Sequence, residues 1–244
     1  MIGTLLTILK IVFILGFLII IHEGGHFLVA KLCKVKVNEF AIGFGPLIFQ
    51  KKGKETLYSL RLIPLGGFVS MEGENEASEV QGSFSKASIP KRIAIVVAGA
   101  VVNIVFGIAL IFILLWIVRG NAVEAVSATG MYLVEVANSL KEMFTGNVSI
   151  DQFTGPVGIS NIVAQTSGMI DFTYILAVIS LSLGVTNLLP IPALDGGKIV
   201  ILLIEAIRRK PMKQETEIAI QTLGFFMIIL LSVYVTYHDI VTIW

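Results

Sequence analysis

The sequence predicts an α-helical integral membrane protein: four transmembrane helices with a membrane-associated β-hairpin between the first and the second. Three observations carry this. Of the 244 residues, 55% are hydrophobic and only 14% charged, against about 25% charged in an ordinary soluble domain. Mean hydropathy is +0.89. The apolar residues gather in four long runs almost free of charge, each able to cross about 30 Å of hydrocarbon at about 1.5 Å per helical residue.

The first span covers about residues 3–30. Lys10 interrupts it near one end, and His22-Glu23-Gly24-Gly25-His26 occupies the other. Two stretches rich in β-branched and aromatic residues follow, Val37–Phe49 and Thr56–Val69, separated by the polar turn Gln50–Glu55. That pattern reads as a hairpin over about 37–69. Its apolar flanks suggest that it dips into the membrane or packs on the spans, because irregular backbone at that depth survives only when buried in protein or lining a wet cavity. Met71–Ser88 is acidic, polar and glycine-containing, and reads as a surface loop. The second span, 93–118, holds no charge. Between Gly130 and Phe144, apolar residues at Leu133, Val134, Ala137, Leu140 and Phe144 recur at helical spacing, so an outer amphipathic segment is expected over about 130–146. The third span covers 172–194 and the fourth 218–237, completing a single domain over 1–244.

Lysine and arginine counts set the orientation. Ten lie between Lys31 and Arg92, five between Lys198 and Lys213, and only Arg119 and Lys141 between the second and third spans. The first two regions are therefore expected in the cytoplasm and both termini outside, which puts His22 and His26 near the cytoplasmic end of their span. The net charge of +1 says nothing about nucleic acid, but the sequence has no dense basic run of the kind such a site needs, so no nucleic-acid partner is expected. The single cysteine, Cys33, excludes an internal disulfide and reads as a small apolar residue. No removable signal peptide is read at the N-terminus.

HExxH on a helix sets two imidazoles one turn apart on one face, with a carboxylate beside them to handle protons. Ionisable groups at membrane depth cost about 2.5–3.5 kcal/mol each, so their default reading is functional. A zinc hydrolase working within the bilayer is the first expectation. Zinc needs a third protein ligand. His238 falls on the predicted outer side. Asp195 follows the uncharged third span, inside Asn187-Leu188-Leu189-Pro190-Ile191-Pro192-Ala193-Leu194-Asp195-Gly196-Gly197. Two prolines and a glycine pair would break the helix there and let the carboxylate turn toward a metal. The alternative for Asp195 is a simple helix cap. Asn103, a polar residue inside the second span, reads as a packing hydrogen bond.

HExxH in the first span, Gly43-Phe44-Gly45-Pro46 in the hairpin and the Asn187–Gly197 stretch together resemble the site-2 proteases, peptidase family M50, and within them the bacterial RseP/RasP branch. Ser59–Val69 and Phe153-Thr154-Gly155-Pro156-Val157-Gly158-Ile159 fit the same branch. The resemblance implies an intramembrane zinc metalloprotease in the bacterial inner membrane. It would hold Zn²⁺ through His22, His26 and Asp195 and use Glu23 as general base on the zinc-activated water. The substrate must unwind, and the hairpin with Gly43, Phe44 and Gly45 is the place where its strand would be added. Asn187 would hold the substrate backbone or the oxyanion, or else make a helix–helix hydrogen bond; Pro190 and Pro192 belong to the same substrate-facing loop, mainly as its shapers. Implied substrates are single-span membrane proteins of the anti-sigma-factor or remnant signal-peptide type.

Two departures stand out. Members of this branch carry one or two PDZ domains of about 90 residues between the second and third spans. About 50 residues lie there in this chain, a natural minimal form or one from which the domain was removed. Second, a bulky apolar residue often stands where this chain has Gly24. Gly24 and Gly25 cost the helix about 2 kcal/mol relative to alanine, and close packing against Gly99, Gly107 or Gly184 is the expected compensation. Rival readings are a metal-binding transporter, which would show repeated halves, and an inactive scaffold for membrane proteins, which would need no general base.

Overall fold

The computed structural model describes residues 2–74, 76, 78–145 and 155–243. The element order is α1 (Ile2–Leu32), β1 (Val37–Lys52), β2 (Leu57–Met71), α2 (Ile89–Arg119), α3 (Ala122–Thr145), α4 (Pro156–Ala164), α5 (Met169–Leu188), α6 (Asp195–Arg208) and α7 (Gln214–Ile243). Among the described residues four helices, α1, α2, α5 and α7, are long and apolar enough to cross a membrane, so this is a multi-pass membrane protein. Much of their surface is bare apolar side chain, as at Leu5, Ile117, Leu223 and Leu230, which suits faces turned to lipid. The expected third span ran to Leu194, but α5 stops at Leu188. Pro190 and Pro192 supply no N–H to continue the ladder.

The chain divides into two compact units. One comprises residues 9–104 and 182–226. Its core is built from Ala30, Val35, Val37, Val69, Phe84, Ile95 and Leu202, with Cys33 packed at the edge. The expected hairpin is present, but both strands bend. Glu39–Ile42 face Ser70–Gly67 on one edge and Leu57–Leu60 on the other, while Leu47–Lys52 pair with Arg61–Leu57. Gly43 and Gly45, at φ of 86° and 80°, permit the bend at little steric cost. Glu39 accepts hydrogen bonds from Ser59 and from Arg61, the latter at 2.9 Å, and Thr56 donates to the Val37 carbonyl at 2.9 Å.

The segment expected as a surface loop after Met71 is a loop exposed at Glu79–Gln81, but its far part is anchored. Phe84 is 1% exposed, with the guanidinium of Arg92 and the ammonium of Lys198 each over its ring, at 5.1 and 5.2 Å from its centre. Glu74 pairs with Lys198 at 2.5 Å. One aromatic residue among glycines and serines was too faint a signal to read as core.

The second unit comprises residues 1–8, 105–181 and 227–244. Here α3 begins well before the expected amphipathic stretch. Its buried positions are Ala125, Ala128 and Thr129, spaced three and four residues apart, so small residues make the close contact. Val134 and Ala137, expected on the apolar face, are exposed, while the side chains of Leu140 and Phe144 lie outside the described set. Gly155 opens α4 without a capping side chain. Asp239 of α7 does that work, accepting from the N–H groups of Gly155 and Gly158 at 3.2 and 2.8 Å. Phe153 and Thr154 of the same motif fall outside the described residues.

Candidate metal centre and cavity

α1 carries His22 and His26 on one face, as an i, i+4 pair must be. Both are buried, at 8% and 9% exposure, and their Nε2 atoms stand 3.2 Å apart. Asp195, the first residue of α6, brings Oδ2 to 3.2 Å from His22 Nε2 and 3.5 Å from His26 Nε2. The cap of α6 is Leu194, and no side chain caps the helix, so Asp195 spends its carboxylate on the histidine pair.

Other groups orient the rings. His26 Nδ1 lies 2.8 Å from the Ile95 carbonyl. Only a protonated Nδ1 can donate to that oxygen, which leaves Nε2 with its lone pair facing His22 and Asp195. His22 Nδ1 lies 3.4 Å from the Asn103 amide. Neither partner stood out in the sequence. A backbone carbonyl has no sequence signature, and Asn103 was readable only as a packing contact.

Three acceptors so close repel one another unless a proton or cation lies between them. A tetrahedral ion bonded at about 2.0–2.1 Å holds its ligand atoms about 3.3–3.4 Å apart. The observed edges of 3.2, 3.2 and 3.5 Å match that triangle. Asp195 Oδ2 is buried without a conventional hydrogen-bond partner, as an oxygen awaiting an ion would be. Among the described residues, His22, His26 and Asp195 form the one cluster suited to a metal.

A cavity of about 410 Å³ opens beside the cluster, lined among others by Glu23, Phe68, Val69, Glu74, Lys198 and Gln221. A second, of about 260 Å³, is lined by Ile19, Glu23, Gly66, Asn187, Leu194 and Asp195. Glu23 therefore faces both. Gly67 presses on it: a Cβ at that glycine would meet Glu23 Cγ at 3.1 Å. The Met71 N–H donates to Glu74 Oε2 at 3.3 Å. Strand alternation then points the N–H groups of Val69 and Gly67 the same way, off the sheet. No further strand pairs with that edge among the described residues.

Asn187 lines the smaller cavity together with Glu23 and Asp195. Gly43 and Gly45 belong to the strand bend. Phe44 is exposed and stacks at 6.5 Å between ring centres on Phe68, which lines the larger cavity. Pro190 is exposed, and Pro192 packs against Gly224 of α7. Residues with no forecast place in the site are Gly67, Gly99, Lys198, Glu74 and Gln221.

The model of peptidase family M50 matches residues 10–231. A protein of Clostridium acetobutylicum provisionally named a zinc metalloprotease is 30% identical, covering 93% of this chain and 95% of its own. The zinc metalloprotease RasP of Bacillus licheniformis is 24% identical over 96% of this chain and 98% of its own. The regulator of sigma-W protease RasP of Bacillus subtilis is 23% identical with the same shares. The first alignment runs over 322 positions, more than the 244 residues available, so that relative has residues with no counterpart in this chain.

Proposed function

The chain belongs to peptidase family M50, and we propose that it is an intramembrane zinc metalloendopeptidase that cuts the transmembrane segments of other proteins. The observation that carries this reading is the ligand triangle of His22, His26 and Asp195 beside Glu23, in a cavity walled by a strand edge. Zinc bound there would acidify a water molecule and polarise the scissile carbonyl.

The residues of the chain do the rest. His26 offers a neutral Nε2, its Nδ1–H held by the Ile95 carbonyl; His22 would offer its own Nε2 with the Asn103 amide turned so that its oxygen accepts from Nδ1–H. Asp195 supplies the negative charge. Glu23 takes a proton from the attacking water and hands it to the leaving amide nitrogen as the C–N bond breaks. A substrate helix must give up its own hydrogen bonds near the site, and the edge Gly67–Met71 offers replacements by strand addition. The Asn187 amide, which lines the smaller cavity, would hold the substrate backbone or the developing oxyanion.

The name of the Bacillus subtilis relative, a regulator of sigma-W protease, supports anti-sigma factors as substrates, with remnant signal peptides a related single-span class. The bacterial relatives support a bacterial cell membrane location, and the excess of lysine and arginine on either side of the site supports its lying toward the cytoplasm with both termini outside.

The test is cleavage of a reconstituted single-span substrate. The zinc-loaded protein should cut it, and a chelator should stop it. Glu23→Gln should keep its zinc and lose about 10²–10⁴ in rate. A Glu23→Gln variant that cleaves normally rules out the general base. Wild-type vesicles that take up zinc and cleave nothing would establish a transporter.

A further inference from the structure

Between α5 and α6 the backbone makes a compact turn. Ile191 N–H donates to Leu189 at 2.7 Å, and Leu194 N–H donates back to Ile191 at 3.2 Å. Within it Ala193 sits at φ 75°, a conformation that L side chains rarely adopt. Two residues later the chain must present Asp195 to the histidines. Nothing inside the turn receives the Ala193 N–H. It donates instead to Oε1 of Gln221 on α7, at 2.5 Å.

The same face of α7 receives the rest of the turn. Gly224, one helical turn beyond Gln221, is buried, and a Cβ there would overlap Pro192. On the other side Gly197 has no room for a side chain against Ile191 and Pro192. The turn is therefore gripped between the start of α6 and a glutamine–glycine pair on α7. Gln221 also lines the larger cavity, with Glu217 and Thr222.

We propose that Gln221 is a positioning residue: by holding the Ala193 N–H it keeps a strained turn in the one conformation that aims Asp195 at His22 and His26. This rests on the reading of Asp195 as a metal ligand. Groups that orient metal ligands are worth about 10- to 100-fold in metal affinity or activity, and Gln221 acts one step further back, through the backbone.

Purified full-length protein in detergent is loaded with zinc and challenged with a chelator. Gln221→Ala should release zinc about tenfold faster and lower kcat with KM little changed. Gln221→Glu keeps the acceptor oxygen and should restore most of the retention. Glycine takes a positive φ freely, so Gln221→Ala should do less harm when combined with Ala193→Gly. Should Gln221→Ala alone fail to fold, that double variant is the one to read, and its recovery supports the proposal. A Gln221→Ala protein that holds zinc like the wild type overturns it, as does one that changes only KM or a double variant no better than the single. Asp195→Asn separates the two ideas: if it retains zinc fully, the ligand assignment itself is wrong.

Discussion

Gly99 of α2 lies directly against His26 of α1: a Cβ built on this glycine would overlap the imidazole, with His26 Cε1 at 2.8 Å and His22 Cε1 at 2.9 Å. Ordinary contacts of this kind begin at about 3.4 Å. The missing side chain leaves room for the two rings, set edge to face at 84°, to converge on Asp195. Gly99→Ala forces the rings aside. Overpacking of this kind costs about 1–3 kcal/mol, and here the strain falls on the ligand atoms. The expected outcome is a folded protein whose zinc affinity and cleavage rate drop about tenfold or more, read by zinc content after dialysis against a weak chelator. Full zinc occupancy with normal turnover would show that the rings have room to spare.

The two glycines within HEGGH have different roles. Gly25 packs on α2, where a Cβ would meet the Ala98 carbonyl oxygen at 2.6 Å and Gly99 Cα at 2.9 Å. Gly24 has open space around it. Gly107 and Gly184, the other expected neighbours, meet Leu181 and Ala100 instead. Gly24→Ala should therefore raise stability by about 1 kcal/mol through helix propensity, seen as a higher Tm in detergent. Gly25→Ala should destabilise by a similar or larger amount, because backbone cannot yield as a side chain does. Equal effects from the two would contradict this assignment.

What could be read from the sequence was local or rested on depth. His22, Glu23 and His26 follow from helical spacing, and Asp195 from being the first charge after an uncharged run that ends at the same depth. The four long apolar helices follow from composition. Hidden from the sequence were contacts between distant segments: Gly99 beneath His26, Gln221 on the Ala193 turn, Phe84 in the core. Each depends on the absence of a side chain, on a backbone group or on a single residue, and none repeats with a period. The strand edge was legible only as a hairpin. Which edge stays free depends on the bend at Gly43 and Gly45, and a glycine pair marks flexibility without giving the direction of the turn.

Arg92 and Glu205 form an ion pair at 2.7 Å, with side chains 14% and 5% exposed. The second carboxylate oxygen of Glu205 accepts from the Met212 N–H at 2.7 Å, just beyond the end of α6. Removing one partner of a buried pair leaves the other charge stranded, at about 3–5 kcal/mol. Glu205→Ala should thus lower Tm more than Arg92→Met, since it also frees the Met212 N–H. Thermal unfolding of the two variants, followed by circular dichroism, gives the order. A smaller loss for Glu205→Ala would mean that the Met212 contact contributes nothing.

Glu39 gives the strand pair an acid-sensitive clasp. Burial pushes its carboxyl up, but hydrogen bonds from Ser59 and Arg61 and the Arg61 charge outweigh this and hold it below the ordinary 4.5. A carboxylate with a depressed folded-state pKa stabilises fully above its unfolded value and loses that contribution as pH falls through the folded value. The difference in stability between wild type and Glu39→Gln should therefore stay level above about pH 5 and shrink below it. The pair is mostly shielded, with Arg61 and Glu39 at 26% and 19% side-chain exposure, so salt should screen it only in part. Because Glu39 lies on β1 beside Phe40, which pairs with Val69, loosening the clasp should also raise amide exchange at Phe68 and Ser70, whose N–H groups face β1. Unfolding and amide exchange of wild type and Glu39→Gln at pH 7 and near pH 4, the exchange corrected for intrinsic rates, test both statements. A pH-independent gap between wild type and variant would show that Glu39 acts there by shape, as glutamine does, and carries no charge-dependent share.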